Sequence, residues 1–560
     1  MTTRKGLSRR RLLGGGAAAG VAAAFGCAPR TTDPQAGAPA APSTPGAGGP
    51  AADLVLVNGR IHMMDGASTV ATMVAIANGR VSAVGSGPPP RGARVIDLRG
   101  RTVVPGIIDN HNHIVLMGNR PGYHTPLENA LSIRDVQETV AARARGVPRG
   151  AWITTIGGFH RNQLAGPGEM SRMPTLAELD DAAPDHPVYL SESFNGPSAT
   201  NSAGKKIFES QSPAIPVAAD GAIGPGPQGT GRATLLLRQT TLAPAERRRG
   251  AIDALMYGLG LGVTTHLDQG AFQATNTPND GAAHEDNYAM NLPFLALHED
   301  GTLPARLRIN FLHQDGTPDL PTLRERLRNS FPWFGDDMVR TIGIGEFIAG
   351  PKAFAEAAKL LARERWRAEV HSLSRTDFQQ EIQDFEAAHK ESPITDLRWV
   401  VAHVPFITAE WVNRLKAIGG GLSLTSWRYL AGTPEQNGPP FRLIVDNGIP
   451  AGMSSDGMQI APMNPWLHMY YAVTGLNARQ VLINGGQQIS RQEVLRLYTA
   501  ANGWFLREED RIGTIEPGRF ADLVVLNQDY FAVPDADLRR TRSVLTIVDG
   551  KIVYDAGALS

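Results

Sequence analysis

Short apolar runs separated by turn residues occupy both ends of the chain after residue 52. Near the start come DLVLVNGRIHMM, TMVAIANGRVSAVG and ARVIDLRGRTVVPG, with Asn-Gly and Arg-Gly at the turns. Asn-Gly between alternating runs is a strong local signal for a β-hairpin. The chain closes with similar runs, GTIEPGRFADLVVLN and SVLTIVDGKIVYD. We predict that residues 53–105 and 506–560 together build one small β-sandwich.

Between these two segments, strand-like runs alternate with helical runs. Such alternation favours a parallel α/β architecture. GVTTHLD, RLRINFLH, RWVVAHV and IPAGMSSD are typical of strands, and PKAFAEAAKLLARERW is typical of a helix. The strand-like runs exceed the eight that a barrel needs, so we assign some of them to an insertion near residues 119–242. We predict a (β/α)8 barrel over residues 106–505, which suits a chain of 560 residues with an appended domain.

Charge balance and cysteine content narrow the possible functions. The chain has 54 basic and 54 acidic residues, so no global field favours nucleic acid or another strongly charged partner. A hydrophobic fraction of 42% supports a globular protein with a large core. The single cysteine, Cys27, excludes an intramolecular disulfide and a zinc site built on thiolates. A bound metal ion would need His, Asp, Glu or a modified Lys as ligands, as catalytic zinc has.

Residues 1–27 are typical of an export signal. A basic segment that includes Arg9, Arg10 and Arg11 precedes an Ala- and Gly-rich apolar stretch over residues 12–25. This stretch is too short to span a membrane as a mature helix. The string SRRRLLGG resembles a twin-arginine signal, which exports proteins that are already folded. Small residues before Cys27 predict either lipidation of this cysteine, as in a lipoprotein, or simple cleavage and secretion.

Residues 28–52 contain mostly Ala, Pro, Gly, Thr and Ser. Such a composition buries too little apolar surface to order itself, so we interpret this segment as a disordered linker. Together with the signal, it predicts a protein that is periplasmic or extracellular, or that is anchored at the cell envelope through a lipid on Cys27.

Two histidines in the run IIDNHNHIV are the most informative polar pair of the chain. His111 and His113 follow a strand-like apolar run and are separated by one residue. Side chains at positions i and i+2 of an extended segment point to the same side, so both imidazoles can bind one divalent metal ion. Taken alone, the motif also fits a surface or capping pair of histidines.

Three further polar residues end strand-like runs. His371 ends AEVHSL, His403 ends WVVAHV and Asp456 ends IPAGMSSD. In a barrel the carboxyl ends of the strands meet at one face, and active sites form there. Each residue alone is commonly structural, but with His111 and His113 they form a set that indicates a metal site.

In these residues and in several longer motifs, the chain resembles the amidohydrolase superfamily, and within it the amidohydrolase-3 (YtcJ-like) branch. The resemblance rests on PGIIDNHNH, RGAWITTIGGF, MPTLAELDDAAPDHPVYL, LGVTTHLDQG, VHSLSRTD, WVVAHVPFIT, SSDGMQIAPMNPW and EDRIGTIEPGRFADLVVLNQD, which extend over about residues 53–556. It implies a distorted (β/α)8 barrel with a β-sandwich, a centre of one or two divalent metal ions, and hydrolysis of a C–N bond. Zinc is the metal that we expect.

The resemblance also implies the metal ligands, which are His111, His113, His371, His403 and Asp456. Asp456 is in addition the implied general base. The branch commonly has a carboxylated lysine at the end of its fourth strand, whereas IGIGEF in this chain has Glu346 there. We predict Glu346 as a ligand that supplies the bridging carboxylate, with a buried structural acid or a single-metal site as the alternative. A second departure from the branch follows His371, where the branch usually has HAxGD and this chain has HSLSRTD. Asp377 is therefore not securely matched to the aspartate of the branch.

Substrate contacts are predicted from polar and aromatic residues near strand ends. We select Trp427, Arg428 and His266, and further candidates are Asp268, Tyr123, His124 and Trp466. Trp427 and Arg428 are neighbours that could pack against an aromatic acyl group or pair with a carboxylate, or could cap a barrel helix instead.

Two classes of function remain open from the sequence. The first is hydrolysis of a small non-peptide amide of N-acyl or N-formyl type by metal-activated water, or of a cyclic amide, amidine or ester by the same chemistry. The second is an exported binding lipoprotein with a degenerate barrel, which the four histidines and Asp456 disfavour. The expected partner is a small-molecule substrate, and the oligomeric state stays open, a homo-oligomer included.

Overall fold

The structure is a computed structural model that describes residues 52–87, 93–166, 169–193, 195–270, 287–347, 350–458 and 460–559. The predicted export signal, Cys27 and the predicted linker up to residue 51 lie outside the described residues. Within the described ranges, no helix combines the length and the apolar character needed to cross a bilayer.

The strands are β1 (Leu54–Val57), β2 (Arg60–His62), β3 (Val70–Ala71), β4 (Met73–Ala77), β5 (Arg80–Gly85), β6 (Arg94–Asp97), β7 (Thr102–Pro105), β8 (Ile107–Asn112), β9 (Tyr123–His124), β10 (Ile153–Ile156), β11 (Val188–Ser191), β12 (Ser198–Thr200), β13 (Ala222–Ile223), β14 (Val263–Asp268), β15 (Arg306–His313), β16 (Val339–Phe347), β17 (Ala368–Ser372), β18 (Val400–His403), β19 (Gly421–Thr425), β20 (Ala451–Ser454), β21 (Leu523–Leu526), β22 (Ser543–Val548) and β23 (Lys551–Asp555).

The helices are α1 (Ile114–Gly118), α2 (Ile133–Ala144), α3 (Leu176–Ala182), α4 (Ser202–Glu209), α5 (Arg232–Thr241), α6 (Pro244–Gly260), α7 (Asn287–Glu299), α8 (Pro321–Asn329), α9 (Pro351–Arg363), α10 (Arg375–Glu391), α11 (Ala409–Ala417), α12 (Arg428–Ala431), α13 (Phe441–Asn447), α14 (Pro465–Thr474), α15 (Arg491–Tyr498) and α16 (Gly503–Leu506).

Eight parallel strands form the central sheet, in the order β8, β14, β15, β16, β17, β18, β19, β20. The main-chain N–H of Asp456, just beyond β20, donates to the carbonyl oxygen of His111 in β8 at 2.8 Å, which brings the two edges together. Strands such as β8 and β14 are buried throughout, as expected when helices cover a parallel sheet. The predicted distorted (β/α)8 barrel is therefore confirmed.

The two chain ends build the remaining sheets near the barrel. A four-stranded sheet has the order β5-β4-β1-β6, and a six-stranded sheet has the order β23-β22-β21-β7-β2-β3. In the second sheet β21 from the end of the chain pairs antiparallel with β7 from its start. One apolar cluster joins residues of both ends, including Leu56, Ile76, Leu523 and Ile547. The predicted sandwich made from both chain ends is confirmed.

A further five-stranded sheet, β13-β12-β11-β10-β9, occupies residues 123–223 between barrel strands β8 and β14. The strand-like runs WITTIGG and HPVYLSES form β10 and β11 of this sheet. This placement explains why the chain has more strand-like runs than a barrel needs.

A buried ion pair joins the barrel to the sandwich. Arg306 in β15 has a fully buried side chain, and its guanidinium donates to both carboxylate oxygens of Asp522 at 2.7 and 3.0 Å. The Asp522 side chain is only 7% exposed. Asp549 lies 3.4 Å from the same guanidinium but is 37% exposed. The charge of Arg306 therefore depends mainly on Asp522.

Replacing Asp522 by Asn should destabilise the fold by about 3–5 kcal/mol, because it leaves the guanidinium of Arg306 buried without its counter-charge. Asp549→Asn is the matched control and should cost about 0–1 kcal/mol, since that carboxylate is more exposed. Urea unfolding followed by circular dichroism measures both. Equal losses in the two variants would contradict this account of the ion pair.

Candidate metal centre

Six polar side chains converge beyond the carboxyl ends of the barrel strands. They form three overlapping sets in which the possible ligand atoms all lie within 4.8 Å of one another, namely His111/His403/Asp456, His111/His113/Glu346 and Glu346/His371/His403. The structure thus brings together all six residues that the sequence predicted as metal ligands.

The first strand supplies two of these side chains. His111 is in β8 and His113 follows directly, and their ring centroids are 5.9 Å apart. The intervening Asn112 has a different partner, because its side-chain amide lies 3.0 Å from Nδ1 of His266. Alternation along an extended chain therefore sends the two histidines to one side and Asn112 to the other.

Glu346, near the end of β16, is the centre of the cluster. One carboxylate oxygen lies 2.7 Å from Nε2 of His403 and 3.7 Å from Nε2 of His111, and it also contacts Nδ1 of His371. Its second oxygen lies 3.7 Å from Nε2 of His113. The side chain is almost completely buried. Glu346 therefore touches or approaches all four imidazoles, which is the position a bridging carboxylate would need.

Asp456 follows β20 and approaches the first-strand pair. Its Oδ1 lies 3.3 Å from Nε2 of His113 and 3.7 Å from Nε2 of His111. Asp456 and His403 both adopt left-handed backbone conformations, with φ of 55° and 69°. Such conformations cost about 1–3 kcal/mol for residues with a side chain and cluster at functional sites. The backbone thus keeps both side chains in place at a local energetic cost.

The carboxylates of the cluster favour their charged forms. Burial opposes ionisation of Glu346, but the neighbouring His371 and His111 outweigh it and hold the pKa of this carboxyl well below its ordinary value. For Asp456 the opposing effect of burial is outweighed by His403 and His113, which also lower the pKa. Burial likewise opposes protonation of His113, yet the hydrogen bond and charge of Asp456 raise its pKa to about 9. The two carboxylates therefore attract positive charge into a buried site.

Hydrogen bonds outside the cluster orient two of the imidazoles. Nδ1 of His111 lies 2.6 Å from the buried carboxylate of Glu369, and Nδ1 of His403 lies 2.8 Å from the hydroxyl of Thr425. Glu369 in turn accepts from Arg367 at 2.7 Å. Metal-binding histidines commonly donate their second ring nitrogen in this way. Both Nε2 atoms are thereby directed into the cluster.

The donor set fits a divalent metal ion. Nε2 of His111 is buried and makes no hydrogen bond among the described residues, although it faces the two carboxylates. Imidazoles and carboxylates without thiolates are the ligands of catalytic zinc, and they also suit manganese or iron. All six residues would serve as ligands, with Glu346 able to contact two ions.

Two of the predicted substrate contacts, Trp427 and Arg428, lie next to each other after a barrel strand. Trp427 and Arg428 follow β19 on the same side of the barrel as the cluster, and the guanidinium of Arg428 lies 3.8 Å from the centroid of the Trp427 ring. The buried indole N–H of Trp427 has no hydrogen-bond partner among the described residues. Both residues are therefore near the barrel mouth.

His266 is not brought to the cluster. Its imidazole packs beside Gly258 of α6, on the outer side of the barrel, and burial lowers its pKa to about 3. Asp268 accepts hydrogen bonds from the main-chain N–H groups of Val115 and Gly270. Asp377 has a capping role, because its carboxylate accepts from the main-chain N–H of Ser374 at the start of α10. These positions give each residue a structural contact.

Sequence reasoning missed Glu369 and Arg367, which support His111. A signal was present, because Arg367, Glu369 and His371 alternate with apolar residues and therefore share one face of a strand. A polar face on a buried barrel strand indicates that its side chains meet other polar groups inside the barrel.

The fold is a (β/α)8 barrel, and the cluster offers the ligands that a divalent metal ion needs. The sequence model of the Amidohydrolase family matches residues 94–554. The chain therefore belongs to the amidohydrolase family, as the motifs predicted. Members of the amidohydrolase superfamily are metal-dependent hydrolases, and the cluster is the possible metal site of this chain.

Relatives with known names match to different extents. The chain is 21% identical to YtcJ of Bacillus subtilis (strain 168) over 504 residues, which are 82% of this chain and 90% of that protein. It is 32% identical to the N-substituted formamide deformylase of Arthrobacter pascens over 144 residues, which are 25% of this chain and 26% of that enzyme. The second match thus spans about a quarter of the deformylase.

A solved structure shares the fold. It is that of an uncharacterized metal-dependent hydrolase from Pyrococcus furiosus, with a TM-score of 0.57 and 18% sequence identity. The similarity covers 85% of this chain and 99% of that chain.

Replacing Glu369 by Gln should lower metal affinity by about 10–100-fold, because a neutral amide no longer holds and polarises the ring of His111. The matched control is Glu508→Gln, which changes another fully buried glutamate that pairs with Arg308 at 3.0 Å. Competition with a metal-binding dye measures both affinities. If Glu508→Gln weakens metal binding as much as Glu369→Gln, the orienting role of Glu369 is excluded.

Proposed function

We propose that this protein is a metal-dependent hydrolase that cleaves a carbon–nitrogen bond, other than a peptide bond, in a small N-acyl or N-formyl compound. The main support for the proposal is the largely buried cluster of four imidazoles and two carboxylates at the carboxyl ends of the barrel strands. The partial similarity to an enzyme named N-substituted formamide deformylase supports the choice of substrate class.

The ligand set for the metal would comprise His111, His113, Glu346, His371, His403 and Asp456. We propose one or two divalent ions and expect zinc, because these nitrogen and oxygen donors suit it. When bound, such an ion polarises a carbonyl group and makes a water molecule nucleophilic at neutral pH. Glu346 would bridge two ions if both are present, since its two oxygens face different histidines.

Asp456 would move the proton during hydrolysis. Its carboxylate is held ionised by His403 and His113, which lower its pKa, so it can accept a proton from the attacking water. In the next step the same carboxyl group would give that proton to the leaving nitrogen. Amide hydrolysis needs both transfers, because a free amide anion is a very poor leaving group. Glu346 makes more contacts with the imidazoles than Asp456 does, which leaves Asp456 as the better proton carrier.

Trp427 and Arg428 would contact the acyl part of the substrate. The pair lies near the barrel mouth, and the buried indole N–H of Trp427 is a donor without a partner among the described residues. Arg428 can pair with a carboxylate, and the Trp427 ring can pack against an apolar group. His266 has no part in this proposal because its imidazole faces α6 on the outer side of the barrel.

We also propose that the enzyme acts outside the cytoplasm. The support is the twin-arginine-like segment SRRRLLGG and the small residues before Cys27. Export after folding suits an enzyme that takes up its metal inside the cell.

A hydrolysis screen tests the proposed function. We expect release of amine from at least one N-formyl or N-acyl amine of a panel that also contains lactams and esters, by protein that holds about one or two equivalents of zinc, manganese or iron. His111→Ala should lose both metal and activity. A protein that takes up no metal would instead support a binding protein. Turnover of lactams or esters alone would move the substrate class to the cyclic amides or esters.

Asp456→Asn should keep most of the metal and lower kcat by at least about 100-fold, the lower end of general acid–base contributions. Asn retains the size of the side chain and one oxygen but cannot carry the proton. Metal content by mass spectrometry and kcat on the best substrate of the panel are measured together. Unchanged turnover with full metal content would exclude Asp456 from the proton transfer.

A further inference from the structure

A separate cavity lies beside helix α6, away from the metal cluster. Its walls come from the segment after α1, from α2 and α6, and from two residues of the C-terminal sandwich region, Arg542 and Tyr554. Its volume is about 640 Å³, within the range of small-molecule sites. None of the six cluster residues lines it. The proposed hydrolysis gives this cavity no role.

The polar part of the lining is strongly cationic. Among the described residues, four arginines line the cavity against one carboxylate, that of Asp253, and these arginines are Arg120, Arg143, Arg249 and Arg542. They come from segments far apart in the sequence, so the fold alone assembles them. Four guanidiniums around one space create a field that favours an anion.

These guanidiniums are fixed before any ligand arrives. Arg249 lies 3.9 Å from the centroid of the Tyr123 ring, and it pairs with Glu246 at 2.8 Å and with Asp253 at 3.0 Å. Arg143 donates to the main-chain oxygen of His124 at 2.8 Å and lies 3.4 Å from the same Asp253. Asp253 is thus shared between two arginines. A ligand would therefore meet preorganised donors, which lowers the ordering cost of binding.

Arg542 is held differently from these two. Its guanidinium donates to the main-chain oxygens of Thr541 at 2.6 Å and Arg539 at 3.1 Å. Neutral carbonyl groups fix the side chain, and the nearby Glu128 compensates only part of its charge because burial raises the pKa of Glu128 to about 7. Arg542 is therefore the best-placed charge for an incoming anion.

His124 provides a second, independent sign of a ligand. It lines the cavity, both of its ring nitrogens are buried, and neither makes a hydrogen bond among the described residues. Burial, together with the charges of Arg120 and Arg143, lowers the pKa of His124 well below its ordinary value. The imidazole is therefore neutral and offers one N–H donor. Polar atoms buried without partners are costly, and a ligand would supply the missing hydrogen bond.

The rest of the lining is apolar. Met117, Met256 and Leu261 face the same space, as does the ring of Tyr554. An inorganic anion would contact only the cationic part and leave these side chains without a partner. The lining matches a molecule with an anionic head and an apolar body.

We propose that this cavity is a second binding site, specific for a small organic acid that has a carboxylate head and an apolar body. The carboxylate accepts the hydrogen bond of His124 and is attracted by the guanidiniums of the lining, Arg542 among them, and the body packs against Met117, Met256 and Leu261. This site is independent of the metal centre, and it does not rest on the proposed hydrolytic function.

Octanoate is the probe for calorimetric titration, with octylammonium and acetate as matched compounds that lack the anionic head or the apolar body. We expect saturable binding of octanoate and at least about 10-fold weaker binding of the other two, since charge-assisted hydrogen bonds and apolar contact are both required. The titration uses the full-length protein and also its His111→Ala variant. Binding that survives in His111→Ala excludes carboxylate ligation at the metal centre.

Two variants test the assigned contacts. Arg542→Gln and His124→Phe should each weaken octanoate binding by at least about 10-fold while leaving the melting temperature close to that of the parent. Arg149→Gln is the control for loss of a charge, because Arg149 has a side chain 81% exposed and does not line the cavity. It should bind octanoate normally. The proposal is overturned if octanoate does not bind saturably, if binding is lost in His111→Ala, if octylammonium binds equally well, or if Arg542→Gln and His124→Phe bind octanoate as Arg149→Gln does.

Discussion

The contact of one buried carboxylate, Glu346, with four imidazoles is the interaction on which the rest of the site depends. An ionised carboxylate inside a protein is costly unless positive charge compensates it. Here two carboxylates, Glu346 and Asp456, share the space between the rings, and the barrel buries all of these groups except His371, which is partly exposed. A divalent cation held by the same atoms would supply that compensation. The family membership and the chemistry of the donors both agree with such an ion.

The barrel maintains this geometry through buried polar layers around the site. The chain Arg367–Glu369–His111 holds one imidazole from inside the barrel, with distances of 2.7 and 2.6 Å. In strand β15, Arg308 pairs with Glu508 and Arg306 pairs with Asp522. These pairs link barrel strands to residues after residue 505. The C-terminal part of the chain therefore helps to position the strands that carry the metal ligands.

Much of this fold and site was predictable because the signals were local. Strand ends with a histidine or aspartate after an apolar run were enough to select His111, His113, His371, His403 and Asp456, since parallel strands end at one face. Glu346 was identified as the residue that takes the place of a lysine common in the family. The prediction of His266 as a substrate contact does not agree with the position of its imidazole on the outer side of the barrel, and the reason is physical. Strand β14 pairs with β8 through two register irregularities, so simple alternation does not show which of its side chains face inward. The arginine-lined cavity had no local signal, because its residues come from four distant segments of the chain.

Metal binding by these six side chains can be measured by X-ray diffraction with anomalous scattering at the zinc absorption edge, on crystals of the zinc-loaded protein. We expect an anomalous peak between Glu346 and the four imidazoles, about 2.0–2.2 Å from the nearest ligand nitrogens and oxygens. A zinc-loaded crystal with no peak in this cluster, or with its zinc bound elsewhere in the protein, would contradict it.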